Sequence, residues 1–476
     1  MKIYFETFGC SANQASAETM LGIVRSMGFE LSGEKDADVY ICNTCTVKYT
    51  TEQKILHKIR TFGELGRRVV VTGCMPEVQL DLILNANPEA YVLGINSILD
   101  LSNVLSQIRT DLSFISVSDF GSESVSDSDF NSVSNSVSDS HSLSALNSGS
   151  GSKNHFPSPV RIFSKKPDGF LNLPKVRYNS NIHICQISTG CNFGCSYCIV
   201  RLARGKLISF PPEEIISDIA AAVADGCLEI WLTSQDDSQY GMDFLKDSPY
   251  YGMRLSDLLL RIVQIPGNFK IRVGMMNPFS VLPILPQLID AFSDPKIFKF
   301  LHLPIQSASE NVLKTMNRNH KMSDVDLIIR TFSDRFPDLT LFTDIITGFC
   351  GETEDDFSKT VDWVKTYRPD KVNISKYSPR PGTKAYDLRN LDSRIMVERS
   401  KILSEITDRI KLEDKNKRIG RIENIFVSKY GKESGVLART DDYKPVIVNN
   451  TNLKPGDTAK VKIVDATPGY FIGELV

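Results

Sequence analysis

At 476 residues with 41% apolar composition, the chain has material for about two to four domain cores, which excludes both a disordered chain and a small disulfide-stapled scaffold. A formal charge of −2 excludes a strongly basic binding protein. Yet residues 111–152 carry Asp111, Asp119, Glu123, Asp127, Asp129 and Asp139 with no Lys or Arg, so the remainder is mildly basic and compatible with RNA.

Met1-Lys-Ile-Tyr-Phe-Glu-Thr opens the chain as a strand-like run without the charged and apolar regions of a leader, and no apolar run is long enough to span a bilayer. A cytoplasmic protein with no membrane partner is expected. In a reducing compartment, ten cysteines point to metal binding or catalysis rather than disulfides.

The N-terminal segment alternates strand and helix. Lys2–Phe8, Asp38–Cys42 and Arg68–Thr72 have strand patterns, and Gln14–Met27 and Thr51–Leu65 have helical spacing. A βαβαβ order implies a parallel sheet, whose ligands gather beyond the carboxyl ends of its strands. Cys10, Cys45 and Cys74 each follow one of these strands, so three cysteines distant in sequence are expected to meet as a three-thiolate metal site. Cys42 forms a C-x2-C pair with Cys45 and competes for this role. Strand alternation sets Tyr40 and Cys42 opposite Val39 and Ile41, which favours a buried apolar role for Cys42. Asn13 and Asn43 flank the cysteines, as loop-bonding residues or as ordinary caps.

Residues 111–160 turn serine-rich and acidic, too polar to bury a face, and read as a disordered insert or linker. Beyond it, the strand Asn181–Ser188 leads into Cys191-Asn-Phe-Gly-Cys195-Ser-Tyr-Cys198. This C-x3-C-x2-C set offers three thiolates to a centre that commonly takes four, leaving one iron of an iron–sulfur cluster open. A structural zinc loop is the alternative, but it needs a second cysteine pair downstream, and none follows.

Strand patterns recur at Leu228–Thr233, Phe269–Gly274, Lys299–Leu303, Thr340–Ile346 and Lys371–Ser375, with helical patterns between them. Six β/α units describe an incomplete (β/α)8 barrel whose strand ends share one rim with the cysteine loop. A charged helix over Ser393–Arg418 and a basic hinge lead to short strands from Ile422 to Val476, the pattern of a small β-barrel. The expected architecture is α/β and multidomain: a parallel-sheet cluster domain (1–110), the insert (111–160), a partial (β/α)6 barrel (161–412) and a terminal β-barrel (413–476).

Several runs carry a resemblance: Thr7-Phe-Gly-Cys10-Ser-Ala-Asn13-Gln, Asn43-Thr-Cys45-Thr-Val, Thr72-Gly-Cys74-Met, the Cys191 loop with Ala203-Arg204-Gly205, His302-Leu-Pro-Ile-Gln306-Ser and Lys376-Tyr-Ser-Pro-Arg-Pro-Gly-Thr. Their order resembles the methylthiotransferases of the radical S-adenosylmethionine (SAM) class, with a terminal TRAM domain. Within that class the chain is most similar to the archaeal and eukaryotic-type enzymes that methylthiolate N6-threonylcarbamoyladenosine beside the tRNA anticodon.

The resemblance implies two 4Fe–4S clusters and SAM as cofactors, and tRNA and an electron donor as partners. Cys191, Cys195 and Cys198 would hold the catalytic radical-generating cluster, and Cys10, Cys45 and Cys74 the metal site that supplies sulfur. At the strand ends, Gln235 or Asp236 is placed to grip the SAM amino group, Gln306 to reach the ribose, and Glu352 to orient the loop after it. Arg201, Arg204 and Lys206, with Lys415, Lys417, Arg418 and Arg421, are the candidate phosphate contacts. His183 and His302 are read as core or rim residues. The chain departs from the pattern at Cys350, where the family has proline, and in the serine-rich insert. The rival readings are methylthiolation of isopentenyladenosine in tRNA or of a ribosomal-protein aspartate, and a non-catalytic iron–sulfur RNA-binding protein.

Overall fold

The computed structural model of the chain describes residues 1–118, 159–164, 167, 169–431 and 435–476. The N-terminal sheet contains β1 (Lys2–Thr7), β2 (Glu30–Leu31), β3 (Val39–Thr44), β4 (Arg68–Gly73), β5 (Tyr91–Leu93) and β6 (Arg161–Ile162), all parallel, in the order β2-β1-β3-β4-β5-β6. β3 is buried on both faces, as a parallel strand between helical layers must be. Val39 and Ile41 join the main core, while Tyr40 and Cys42 pack with Ile55, Ile59 and Phe62 of the helix Tyr49–Glu64.

The serine-rich insert reads differently in the fold. The helix Leu101–Ser118 runs through residue 111, where a linker was expected to begin, and β6, which follows the insert, pairs with β5 as Val92 to Arg161 and Leu93 to Ile162. The domain limits drawn at 110 and 161 thus fall inside structural units, and the insert interrupts the N-terminal domain. Serine content marks where the chain stops burying apolar surface, which need not be where a sheet ends. The expected disorder itself lies mostly outside the described residues.

The second unit begins with β7 (Ile182–Gln186), and a short ribbon of β8 (Ser188–Thr189) and β9 (Ile208–Ser209) brackets the cysteine loop. β10 (Glu229–Thr233), β11 (Lys270–Arg272), β12 (Phe300–His302), β13 (Thr340–Thr347) and β14 (Lys371–Lys376) complete it. Two parallel three-stranded sheets, β11-β10-β7 and β12-β13-β14, are joined through the Met275–His302 bridge into one open run of six strands. This is the partial barrel expected from the six β/α units.

β15 (Ile422–Tyr430), β16 (Val436–Thr440), β17 (Pro445–Val448), β18 (Thr458–Ala466) and β19 (Phe471–Leu475) close a small barrel in the order β15-β16-β17-β19-β18 around Val427, Ala438, Val446, Val461, Ile463 and Phe471. It docks on the amino-terminal ends of the six strands. Asn181 donates to Ser428 O, buried Glu229 accepts from Ser428, Lys270 pairs with Asp441 at 3.0 Å, and Lys299 N donates to Asp441 O. Thr340 bonds Asp442, and Lys444 pairs with Asp370 at 3.0 Å. Arg272 lies over the rings of Trp231, Phe300 and Tyr443 at 5.0, 4.9 and 5.5 Å, a cation held among π faces where the two units meet.

Arg418 anchors this junction. It is 8% exposed and its guanidinium reaches Asp442 at 2.7 Å, Glu423 at 3.3 Å and Asp338 at 3.4 Å. It is therefore a structural cation, which corrects its expected role as a phosphate contact; its charge is already neutralised. Removing the guanidinium leaves buried Asp442 with Lys444, at 2.6 Å, as its one remaining cation among the described residues, so Arg418→Leu is expected to cost about 2–3 kcal/mol, less than for a fully stranded charge. A fall of several degrees in the calorimetric unfolding midpoint checks this; an unchanged midpoint would contradict it.

Candidate iron–sulfur sites

Cys10 sits at the N-cap of the helix Ser11–Ser26, Cys45 just past β3, and Cys74 at the N-cap of the short helix Met75–Val78. Asn13 ties two of these loops together, donating to Phe8 O and Thr44 O, both at 2.8 Å, while Asn43 donates to Asn13 O at 2.8 Å and Thr7 Oγ1 at 3.0 Å. Both asparagines therefore serve as loop ties. Gly9, with φ +112°, allows the close approach: a Cβ there would lie 3.0 Å from the Cys45 Cβ. Cys10 is exposed, Cys45 and Cys74 are buried, and burial raises the Cys74 thiol to about 11 against the pull of the Arg204 guanidinium. Cys42 is fully buried in the apolar cluster behind the strand, where burial raises its thiol to about 12, so it lies away from this group.

The second set is built by one loop. Gly190, with φ +74°, comes so close to Lys206 O that a Cβ would lie 1.9 Å from it, whereas at Gly194 a Cβ would meet Asn317 at an ordinary 3.6 Å. Gln239, on the turn Asp237–Gln239, donates to the Cys191 sulfur at 3.0 Å and accepts from Asn192 N at 2.9 Å. Arg201 donates to Cys191 O at 2.6 Å and Gly205 O at 3.0 Å. Burial raises the Cys191 and Cys198 thiols, the latter to about 12. Such thiols are protonated near neutrality and lose their protons when they ligate metal.

The four candidates for SAM contact divide by what they already touch. Gln235 accepts from Gly190 N at 2.7 Å, bracing the cysteine loop. Asp236 receives hydrogen bonds on both carboxylate oxygens, from Ser238, Asn277, Gln239 and Ser280, and so supports Gln239. Gln306, half-buried at the end of β12, has a left-handed φ of +68° and is held by backbone bonds to Asp344 and Ile346. Glu352 accepts from Gly348 N at 2.8 Å and pairs with buried Arg399 at 2.6 Å. Cys350 is buried beside Tyr377 and Ala385 in the same rim cluster.

Sequence reasoning missed Gln239, although it lies three residues past the Ser234-Gln-Asp run; its role depends on the turn of the chain after β10. Also unforeseen was a buried latch between the two units. Glu52 accepts from Gln79 at 2.6 Å and from Arg380 at 2.5 Å, Arg380 also donates to Val47 O, and Gln79 accepts from Thr46 beside Cys45. His183 and His302 pair with Asp218 at 2.7 Å and Asp344 at 2.6 Å.

Spacing tests what these cysteines fit. Among the described residues, one group has three His, Cys, Asp or Glu ligand atoms within 4.8 Å of one another: His183, Cys185 and Asp218, whose carboxylate already pairs with Lys175. Neither cysteine triad is that tight. A single tetrahedral ion, with Zn–S near about 2.3 Å, would draw three thiolates to about 3.8 Å apart. A centre in which each thiolate takes its own iron needs three separate thiolates, the number each set supplies.

Comparison with known proteins matches the three units in turn. The family described as Uncharacterized protein family UPF0004 matches residues 2–94, the Radical SAM superfamily residues 185–364, and the TRAM domain residues 416–476. A probable threonylcarbamoyladenosine tRNA methylthiotransferase of Methanothermobacter thermautotrophicus is 36% identical over 478 residues, covering 100% of this chain and 99% of its own. The chain belongs to the threonylcarbamoyladenosine tRNA methylthiotransferase family. A member from Pyrococcus horikoshii is 34% identical across the full length of both, and one from Drosophila melanogaster is 30% identical over 100% of this chain and 78% of its own. A radical SAM methyltransferase structure from Kitasatospora setae, with tryptophan substrate and a SAM analog, aligns with TM-score 0.51 at 12% identity over 81% of this chain and 75% of that one, a likeness of fold. As a family member the protein is a radical SAM enzyme with iron–sulfur cofactors, and no helix among the described residues is long and apolar enough to cross a membrane.

Two predictions follow from the site's geometry. In anaerobically reconstituted protein, Cys45→Ala is expected to lower iron from about eight to about four atoms per chain, while Cys42→Ala leaves it near eight. Iron and sulfide analysis decides; the reverse pattern would make Cys42 the ligand. His320 is buried, neither ring nitrogen has a partner, and burial together with Arg318 lowers it to about 3 from 6.5. The unfolded chain therefore takes up a proton that the fold does not, so stability falls as pH drops from about 6.5 toward 3. His320→Leu should flatten this slope by up to about 1.4 kcal/mol per pH unit, read from denaturant midpoints across pH.

Proposed function

We propose that the protein converts N6-threonylcarbamoyladenosine of tRNA to its 2-methylthio derivative, using SAM and two 4Fe–4S clusters held by Cys191, Cys195 and Cys198 and by Cys10, Cys45 and Cys74. The observation that carries this reading is the meeting of the two cysteine sets. The helix Val200–Arg204, which starts two residues after Cys198, packs Ala203 against Cys74, and its Arg204 bonds Asn13 at 2.7 Å. When loaded, the first centre supplies reductive SAM cleavage strong enough to take hydrogen from an unactivated aryl C–H, and the second supplies the sulfur.

The chain's own residues place and shelter this chemistry. Gln239 and Arg201 fix the position of Cys191, Gln235 fixes Gly190, and Asp236 holds Gln239 in turn. Gln306 is the candidate to meet the ribose, and Glu352, with Arg399, sets the course of the Gly348–Glu352 turn. The latch Arg380–Glu52 keeps the N-terminal sheet against the barrel rim, so the target carbon is held between both sites with water excluded. The domain plan of a cluster unit, a radical barrel and a TRAM barrel gives each of these tasks its own unit.

tRNA binding falls to cations that no carboxylate of the described residues neutralises. Lys429 on β15, Lys460 and Lys462 on β18 and Lys454 are exposed, and β15 and β18 are adjacent in the TRAM barrel. Lys206 is exposed beside the cysteine loop, whereas Arg204 is buried, Lys417 pairs with Asp414 and Arg421 with Asp338. Lys415 donates to Thr467 O. An electron donor completes the reaction, and a cytoplasmic setting suits both tRNA and reduced thiols.

Anaerobic assays with reduced, reconstituted protein separate the two sites. Cys191→Ala, Cys195→Ala and Cys198→Ala should each abolish release of 5′-deoxyadenosine from SAM. Cys10→Ala, Cys45→Ala and Cys74→Ala should retain that release and lose the methylthio product. Nucleoside mass spectrometry of the incubated tRNA reads the product. A mass gain on isopentenyladenosine, or on a ribosomal-protein aspartate, in place of threonylcarbamoyladenosine would move the substrate assignment, and no SAM cleavage would leave a binding protein.

A further inference from the structure

Arg204 is 5% exposed, yet no carboxylate of the described residues pairs with it. Its Nη2 donates to Asn13 Oδ1 at 2.7 Å, while Nε and Nη1 are buried without a protein partner. A guanidinium cannot shed its proton to escape such a site, and a buried cation with donors unmet is unfavourable unless an anion offsets it.

The surroundings name the anion. Asn13, which takes the one satisfied contact, sits between the Cys10 and Cys45 loops, and its Oδ1 lies 3.9 Å from the Cys74 sulfur. Three thiolates around an iron–sulfur core carry net negative charge and present sulfur acceptors. Arg204 itself is anchored elsewhere, at the end of the helix that follows the Cys191–Cys198 loop.

We propose that Arg204, supplied by the radical-generating unit, is the counter-charge and sulfur-directed hydrogen-bond donor of the cluster on Cys10, Cys45 and Cys74, and sets that cluster's reduction potential. It is a positioning and tuning residue, and the assignment rests on the reading of those cysteines as a cluster site. Reduction adds negative charge to the cluster, so a fixed cation beside it raises the potential, and removing the cation lowers it. Through Arg204, the two units share one electrostatic element: the N-terminal cluster has its native potential only when the barrel is docked.

The test uses full-length protein carrying Cys191→Ala, Cys195→Ala and Cys198→Ala, so that only the N-terminal cluster reports. Iron and sulfide are measured first, then the midpoint potential by redox titration followed by electron paramagnetic resonance. Relative to this parent, Arg204→Met should shift the reduced-to-oxidised ratio at fixed potential at least tenfold toward oxidised, about 59 mV for a one-electron couple. Arg204→Lys, which keeps the charge but not the fork, should fall between. A loaded Arg204→Met protein with the parent's potential overturns the proposal. If Arg204→Met fails to load, Arg204→Lys decides: because lysine keeps the charge, loading with a lowered potential supports the guanidinium's sulfur-directed hydrogen bonds, and failure to load, or an unchanged potential, overturns the proposal. A parent that holds no iron overturns the cluster assignment itself, an outcome separate from an iron-loaded parent with an insensitive potential.

Discussion

Parallel strands must all end on the same side of their sheet, and this chain uses that constraint twice. In the N-terminal sheet it brings Cys10, Cys45 and Cys74 together although up to 64 positions separate them in sequence. In the barrel it sets the cysteine loop, the turn bearing Gln239, Gln306 and the Gly348–Glu352 turn around one rim. The two edges then face each other, and the contacts between them are polar and buried: Arg204 with Asn13, and Arg380 with Glu52 and Val47. Buried polar contacts contribute little net stability for their number, but they are costly to mismatch, so they fix how the two edges are aligned.

What the sequence made legible follows from period and spacing. The alternation Val39, Tyr40, Ile41, Cys42 is a local pattern, and it correctly separates Cys42 from Cys45, because a strand sends neighbouring side chains to opposite faces. Six strand patterns with helices between them sufficed for the barrel, and the closed terminal barrel was visible as turns between short strands. Local pattern could not reveal β6, two residues long and separated from its partner by the insert. Nor could it tell buried cations from exposed ones. Arg204 and Arg418 look like any other basic residue of their runs, and only packing shows that one is enclosed with the cysteines and the other with Asp442. Asp236 and Gln235 were noticed for being polar at a strand end, but their hydrogen bonds turn inward, to the loop and to Gln239.

The insert's position has a bearing on assembly. Because β6 comes after it, the N-terminal sheet is completed by chain that has already passed the serine-rich stretch, and the segment near Pro174–Tyr178 then lies against the helix Ser11–Ser26. Val176 N donates to Glu18 O, and Glu18, raised to about 7 mainly by burial, accepts from Tyr178 N at 3.2 Å. The first unit therefore cannot finish folding until the chain has been made as far as Tyr178, just short of the second unit's first strand.

The TRAM barrel occupies the end of the strands opposite the cysteines, resting on Asn181, Glu229, Lys270, Lys299, Thr340 and Asp370. β13, eight residues long, spans about 26 Å at about 3.3 Å per residue. A molecule that touches the lysines of the small barrel and also offers a base to the rim must bridge roughly that height around the outside. No free nucleoside has that reach. The architecture thus works as a ruler, selecting for the size of the whole substrate before any group on the base is inspected.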